Sequence, residues 1–215
     1  MRSILSNSAT SGRTIATGLV VAALVATLGA LLLPVQLFGE TAAAATTTLT
    51  YDDDGGGTVG TRYGPLTAMD RDFVRKVKLA GLWELPSGRM AQQRGTTAAV
   101  RTAGAHLIAG HTELDRRSNE AGRALGVDLP SEPNAAQQGW LGQLNAAQGK
   151  DFDRTLAELL RRAHGKVFGL VALVRDQTTN TMVRALADRA NDVVLDHITV
   201  LEKTGNVDFN TLHSS

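Results

Sequence analysis

Four side chains able to bind a metal stand where an α-helical pattern would ordinarily place Leu or Val: Glu84, His111, His164 and His197. Each interrupts an apolar stripe. The stripes are Phe73, Val77, Ala80, Glu84, Ala91; Val100, Gly104, Leu107, His111, Leu114, Ser118, Ala121, Leu125; Leu156, Leu160, His164, Val167, Val171, Val174; and Val183, Leu186, Ala190, Val193, His197, Leu201. Steps of three and four residues keep a stripe on one helix face. The four polar groups therefore point toward a common core, where a polar group without a partner is costly. Three neutral imidazoles and a carboxylate suit Zn, Fe, Mn or Cu better than Ca or Mg. One reading is a single transition-metal ion shared by all four residues. The other is a satisfied polar layer, hydrogen-bonded across the helices, that sets their register. The pattern leaves both open.

The stripes define the helices that must position these groups. Thr67 and Asp70 resemble a capping box with Asp in place of Glu, which starts the first helix at Ala68 and runs it to about Arg94. Within it, Pro86 cannot donate to the Leu82 carbonyl, and a kink beside Glu84 is expected. Gly95, Thr96 and Thr97 supply a short turn and an N-cap for a second helix that ends at Gly126, with Pro130 beyond. After a Pro-punctuated loop, residues 135–147 with Trp140, Leu141 and Leu144 predict a short helix covering one end of the bundle. A third helix follows over about Asp151–Arg175. A fourth, capped by Thr178 or Thr179, runs to about Thr204 and stops at Gly205.

Two helical hairpins joined by a longer excursion predict an all-α antiparallel four-helix bundle with a short extra helix between the second and third. If both tight turns share one end, a rise of ~1.5 Å per residue puts Glu84 ~16 Å, His111 ~24 Å, His164 ~21 Å and His197 ~28 Å from it. On this ruler His111 and His164 are level, and His197 lies farthest from Glu84.

Composition removes several function classes. The chain of 215 residues has net charge +1, and the first 45 residues hold Arg2, Arg13 and Glu40, so the remainder is neutral. A neutral chain with interspersed signs lacks the basic footprint of nucleic-acid binding. With no cysteine there is no disulfide, thiolate ligand or cysteine nucleophile. No nucleophile–base pair, phosphate loop or dinucleotide fingerprint occurs. No catalytic residue or organic cofactor site is assigned, and binding without turnover is expected.

Residues 1–39 predict a membrane anchor or signal segment: Ile15–Leu33 is uncharged and apolar, with Arg2 and Arg13 before it and Glu40 and Asp52–Asp54 after it. Basic flanks stay in the cytoplasm, so the rest of the chain is expected to be extracytoplasmic. It is held by the span 15–33 or secreted after cleavage near Ala45. Residues 40–65 are expected to be a flexible linker, with Asp52–Gly57 solvated rather than a calcium loop. The bundle occupies 66–206 and a C-terminal tail 207–215. Arg71, Arg75 and Lys78 are expected on a solvated face. The sequence names no protein or envelope partner and no oligomeric state.

Asp70-Arg-Asp-Phe73, Ala80-Gly-Leu-Trp-Glu84, Met90-Ala91, Gly110-His111 with Leu114, Gly149-Lys-Asp-Phe-Asp153 with His164, and Asp196-His197 with Leu201 together resemble the bacterial domain-of-unknown-function family 4142 of the ferritin-like superfamily. The resemblance covers Leu66 to Leu201. It implies a ferritin-like bundle in an exported protein and no particular reaction. Two-iron members of that superfamily use Glu-x-x-His pairs, whereas the residues three before His111, His164 and His197 are Ile108, Arg161 and Val194. Without the bridging carboxylates, a single-ion site is the inheritance implied.

Overall fold

Thr67 starts the first helix by trading hydrogen bonds with Asp70. Its hydroxyl accepts from the Asp70 amide at 3.2 Å, and the Asp70 carboxylate accepts from the Thr67 amide at 2.9 Å. The helix that follows, α1, spans Ala68–Arg94 and continues through Pro86. One residue on, the Ser87 hydroxyl donates back to the Trp83 carbonyl at 2.7 Å. Thr97 caps α2, Ala98–Leu125, which ends at Gly126 in the left-handed conformation that glycine adopts most readily. Asn134 and Gln137 form a second capping box for α3, Ala135–Ala146. The remaining helices are α4, Gly149–Gln177, and α5, Thr181–Glu202.

The computed structural model describes residues 51–212, so the anchor expected at residues 15–33 lies outside the described residues. Among the described residues, no helix is long and apolar enough to cross a membrane.

Part of the expected linker is ordered. Val59–Thr61 (β1) and Gly64–Leu66 (β2) pair as an antiparallel hairpin with Val59 opposite Leu66. The hairpin buries little apolar surface of its own and is held by docking. The Thr181 amide donates to the Tyr63 carbonyl at 2.8 Å, and Asn180 Nδ2 donates to the Gly64 carbonyl at 3.2 Å. Gly64 is required at this contact. Its φ is +103°, and a Cβ there would lie 2.8 Å from the Thr179 carbonyl oxygen. Asn180, rather than Thr178 or Thr179, caps α5, its side-chain oxygen accepting from the Met182 and Val183 amides.

The basic stripe is also consumed internally. Asp54 accepts from both Arg71 and Arg75, Lys78 pairs with Asp115, and Arg71 is 7% exposed. These partners hold the Asp54 carboxyl well below the usual range. The segment before the hairpin is thereby fastened to α1.

The two tight turns lie at opposite ends of the bundle, which corrects the expectation that they share one. The Asp153 carboxylate near the start of α4 accepts from the Thr96 amide at 3.1 Å, so α4 begins beside the α1–α2 turn. At the far end, the hairpin leading into α1 docks on the α4–α5 turn. Thus α1 and α5 run one way and α2 and α4 the other. The excursion over residues 126–148 carries the chain the length of the bundle, with α3 packed against α1 and α4 along their flank instead of across an end. Gln137 Nε2 donates to the Leu79 carbonyl, and Arg94 donates to the carbonyls of Leu144 and Ala147, pinning α3 along α1.

The pairs α1–α2, α4–α5, α2–α5 and α1–α4 form the principal interhelical contacts, giving an all-α antiparallel bundle. At Gly88 and Gly104 the backbones of α1 and α2 approach so closely that a Cβ on either would lie under 3 Å from the other's carbonyl oxygen. Two apolar clusters fill the interior. One includes Phe73, Val77, Leu114, Val171 and Val193; the other includes Trp83, Leu107, Phe152, Leu160 and Leu201.

Candidate metal centre

Between these clusters lies a polar layer. Glu84 comes from α1, His111 from α2, His164 from α4 and His197 from α5, all four at 4% exposure or less. One ligand atom from each lies within 4.8 Å of all the others. The sequence ruler had separated His197 from Glu84 by assuming that the turns share an end. With α4 starting at the α1–α2 turn, a rise of ~1.5 Å per residue puts Glu84 at ~16 Å, His197 ~19 Å, His164 ~22 Å and His111 ~24 Å from that end. The topological correction brings the residues together.

Two backbone carbonyls determine which ring nitrogens carry protons. His164 Nδ1 donates to the Leu160 carbonyl at 2.8 Å, one turn back in α4. His197 Nε2 donates across to the His106 carbonyl of α2 at 3.0 Å. A neutral imidazole has one N–H, so His164 Nε2 and His197 Nδ1 must then each present a lone pair. These two atoms face each other at 2.9 Å, with Glu84 Oε2 3.2 Å from His164 Nε2. Two lone pairs and a carboxylate converge, an arrangement that a metal cation or one further proton would reconcile. Carbonyl groups that fix the outer nitrogen of a histidine are the usual support of a metal-ligating imidazole.

His111 completes the set. Its Nε2 lies 2.7 Å from Glu84 Oε2, and its Nδ1 is buried without a hydrogen-bond partner. The separations are those of a group that could hold an ion. Tetrahedral bonds of about 2.0–2.1 Å to nitrogen place ligand atoms about 3.3–3.4 Å apart, within the observed spread of 2.7 to 4.8 Å.

Burial lowers the His164 pKa, and it takes His197 down to about 3 with help from His164 and His111. Burial alone would raise the Glu84 carboxyl, but His164 and His111 outweigh it and hold it at about 2. Neutral imidazoles beside a carboxylate are the protonation state that binds a transition metal.

Gly110 permits this convergence. A Cβ at that position would lie 2.6 Å from His197 Nε2 and 2.7 Å from Val193 Cγ1, so α5 could not lean onto α2. His106 stays at the surface, where Nδ1 contacts Asp196 Oδ2 at 2.7 Å, and contributes only its carbonyl. Ser118, on the second stripe, donates to the Asp115 carbonyl of its own helix. Sequence reasoning did not identify the carbonyls of Leu160 and His106, because a backbone acceptor has no sequence signature. Gly110 left a trace, as a glycine in mid-helix beside an inward histidine.

A family model described as a domain of unknown function (DUF4142) matches residues 60–203. No curated protein and no solved structure matches the chain.

Proposed function

We propose that this chain, which belongs to the DUF4142 family, is a ferritin-like bundle that binds one transition-metal ion through Glu84, His111, His164 and His197. The observation that carries this reading is the 2.9 Å approach of His164 Nε2 to His197 Nδ1, each with its other nitrogen committed to a backbone carbonyl. Three imidazoles and one carboxylate favour Zn, Fe, Mn or Cu. The role is binding of a single ion: among the described residues only one carboxylate belongs to the cluster, too few to bridge two ions. The ion would supply the positive charge on which the four groups converge.

A second reading has one observation in its favour. The 2.7 Å contact of His111 with Glu84 is a complete hydrogen bond by itself, as a register-setting polar layer in a structural module of the cell envelope would have. Extracytoplasmic placement, with the segment at residues 15–33 as a membrane anchor, is part of the proposal. It is supported by Arg2 and Arg13 ahead of an uncharged apolar run.

The test is metal content. Full-length protein made without a histidine tag, stripped by a chelator and offered Zn, Mn, Fe or Cu separately, should retain one ion per chain by elemental analysis. An ion at a hundredfold excess over its Kd should add about 2.7 kcal/mol of stability. His164→Ala and Glu84→Gln should lose both effects. Substoichiometric metal with no rise in Tm would leave the polar-layer reading standing. For placement, the chain should stay with the membrane fraction through an alkaline wash and be cleaved by protease added from outside.

A further inference from the structure

On the flank of the bundle, α1, α3 and α4 leave an apolar slot of about 310 Å³ walled by Leu79, Trp83, Trp140, Val167 and Leu170. That volume is within the roughly 300–1,000 Å³ range of small-molecule pockets. Its far wall is rigid, because Trp140 packs on Trp83 with ring centroids 4.9 Å apart and Gln137 anchors α3 to the Leu79 carbonyl.

Charge at the two ends of the slot is unequal. Lys76 and Lys166 line it together with Glu84. Lys76 is shared between Asp72 at 2.8 Å and Asp52 at 3.3 Å, whereas exposed Lys166 has no ion-pair partner among the described residues. Glu84 is buried and would repel an anionic head group. An anion is therefore turned outward, toward Lys166, with its apolar body inward against the two indoles.

We propose that this slot binds a free amphipathic carboxylate of the medium-chain class, its tail against Trp83, Trp140 and Val167 and its carboxylate at Lys166. The inward placement of the tail rests on the uncompensated charge of Glu84, so the titrations below use protein stripped of metal by a chelator.

Trp83 and Trp140 are the only two tryptophans in the chain, so intrinsic fluorescence reports this slot. Full-length protein is titrated with octanoate, octanol and acetate. Octanoate should change the emission saturably, octanol should do so only at higher concentration, and acetate should have no effect. Lys166→Glu should raise the apparent Kd for octanoate about fivefold while leaving octanol unchanged. Val167→Phe, which fills the slot, should abolish the octanoate response with helical circular dichroism retained. Equal response to octanol and octanoate, a response to acetate, or an unchanged octanoate Kd in Lys166→Glu would overturn the proposal. The Lys166 variant alters an exposed side chain and keeps the test decisive even if Val167→Phe folds poorly.

Discussion

Asp153 and Glu84 are both carboxylates sealed from water, at 1% and 4% exposure, but Asp153 meets only donors, whereas Glu84 Oε2 takes one from His111 at 2.7 Å and faces His164 Nε2 at 3.2 Å. Asp153, at the end of the bundle, takes the Thr96 amide at 3.1 Å and the Thr96 hydroxyl at 2.5 Å. Asn180, at the opposite end, is matched in the same way: its oxygen accepts two amides of α5 and its nitrogen donates to the hairpin. In the middle layer, acceptors face acceptors. His164 Nε2 and His197 Nδ1 meet at 2.9 Å with both donors already used on carbonyls, and His111 Nδ1 has no partner. Asp70 Oδ1 and Arg162 Nε are also buried without a hydrogen-bond partner, but only in the middle layer do two ring lone pairs face each other, a mismatch that costs stability unless something resolves it. The mismatch at the centre indicates a site whose complement comes from outside the chain.

Acid should separate the two regions most strongly. A histidine whose folded pKa is lowered takes up its proton first in the unfolded chain. The stability it contributes is intact above about 6.5 and falls as pH drops toward the folded value, about 3 for His197 and likewise lowered for His164. The groups facing these rings are Glu84, His111 and, for His164, Arg161. Glu84 acts in the same direction, its contribution present above 4.5 and lost as pH falls through about 2. Metal-free protein should therefore lose up to ~1.4 kcal/mol per pH unit for each of His164 and His197 as pH falls from about 6.5 toward 4.5. Urea unfolding across that range measures the loss. The double variant His164→Leu/His197→Leu should show a flatter profile. An equal slope in wild type and double variant would mean that the middle layer is as well matched as the ends.

Asp153→Ala should come next, costing about 3 kcal/mol because two donors lose a buried anionic acceptor. The complementary expectation is that metal adds the same stability to this variant as to wild type, which paired unfolding curves with and without Zn would reveal. A loss of metal affinity in Asp153→Ala would make the end region part of the site.

These regions also differ in how far they can be read from sequence. The helices and most of their caps are legible because a 3.6-residue period and local hydrogen-bonding chemistry suffice: Thr67 with Asp70, Thr97, and Gly126 in its left-handed conformation. The four inward residues follow from the same period. Asn180 could not be picked out over Thr178, because its role depends on a hairpin more than a hundred residues earlier that offers it Thr61 and Gly64. The direction of the second pair of helices was equally hidden. Residues 126–148 are long enough either to stay at one end or to cross the bundle, and the choice rests on the long-range contact between Asp153 and Thr96. That choice brings His197 level with Glu84.

Gly110→Ala sharpens the comparison at smaller scale. The added Cβ would collide with His197 Nε2 and Val193 Cγ1, and overpacking of this kind costs about 1–3 kcal/mol. Part of the relief must come from moving His197 off the His106 carbonyl. Metal affinity should therefore fall more steeply than apo stability, as metal titration beside urea unfolding of the same variant would show. A purely steric role would lower stability and leave affinity intact.

The smallest effect is expected beside the site but outside its hydrogen-bonding logic. His106 and Asp196 pair at 2.7 Å with side chains 41% and 49% exposed, and exposed pairs contribute about 0.2–1 kcal/mol. Asp196→Asn should change stability by no more than that. It should leave metal affinity unchanged, because His197 is held by the His106 backbone carbonyl at 3.0 Å, which the substitution does not touch. If Asp196→Asn weakened metal binding tenfold, the orientation of His197 would depend on the surface pair. The boundary between matched and mismatched regions would then run outside α5 rather than through its buried face.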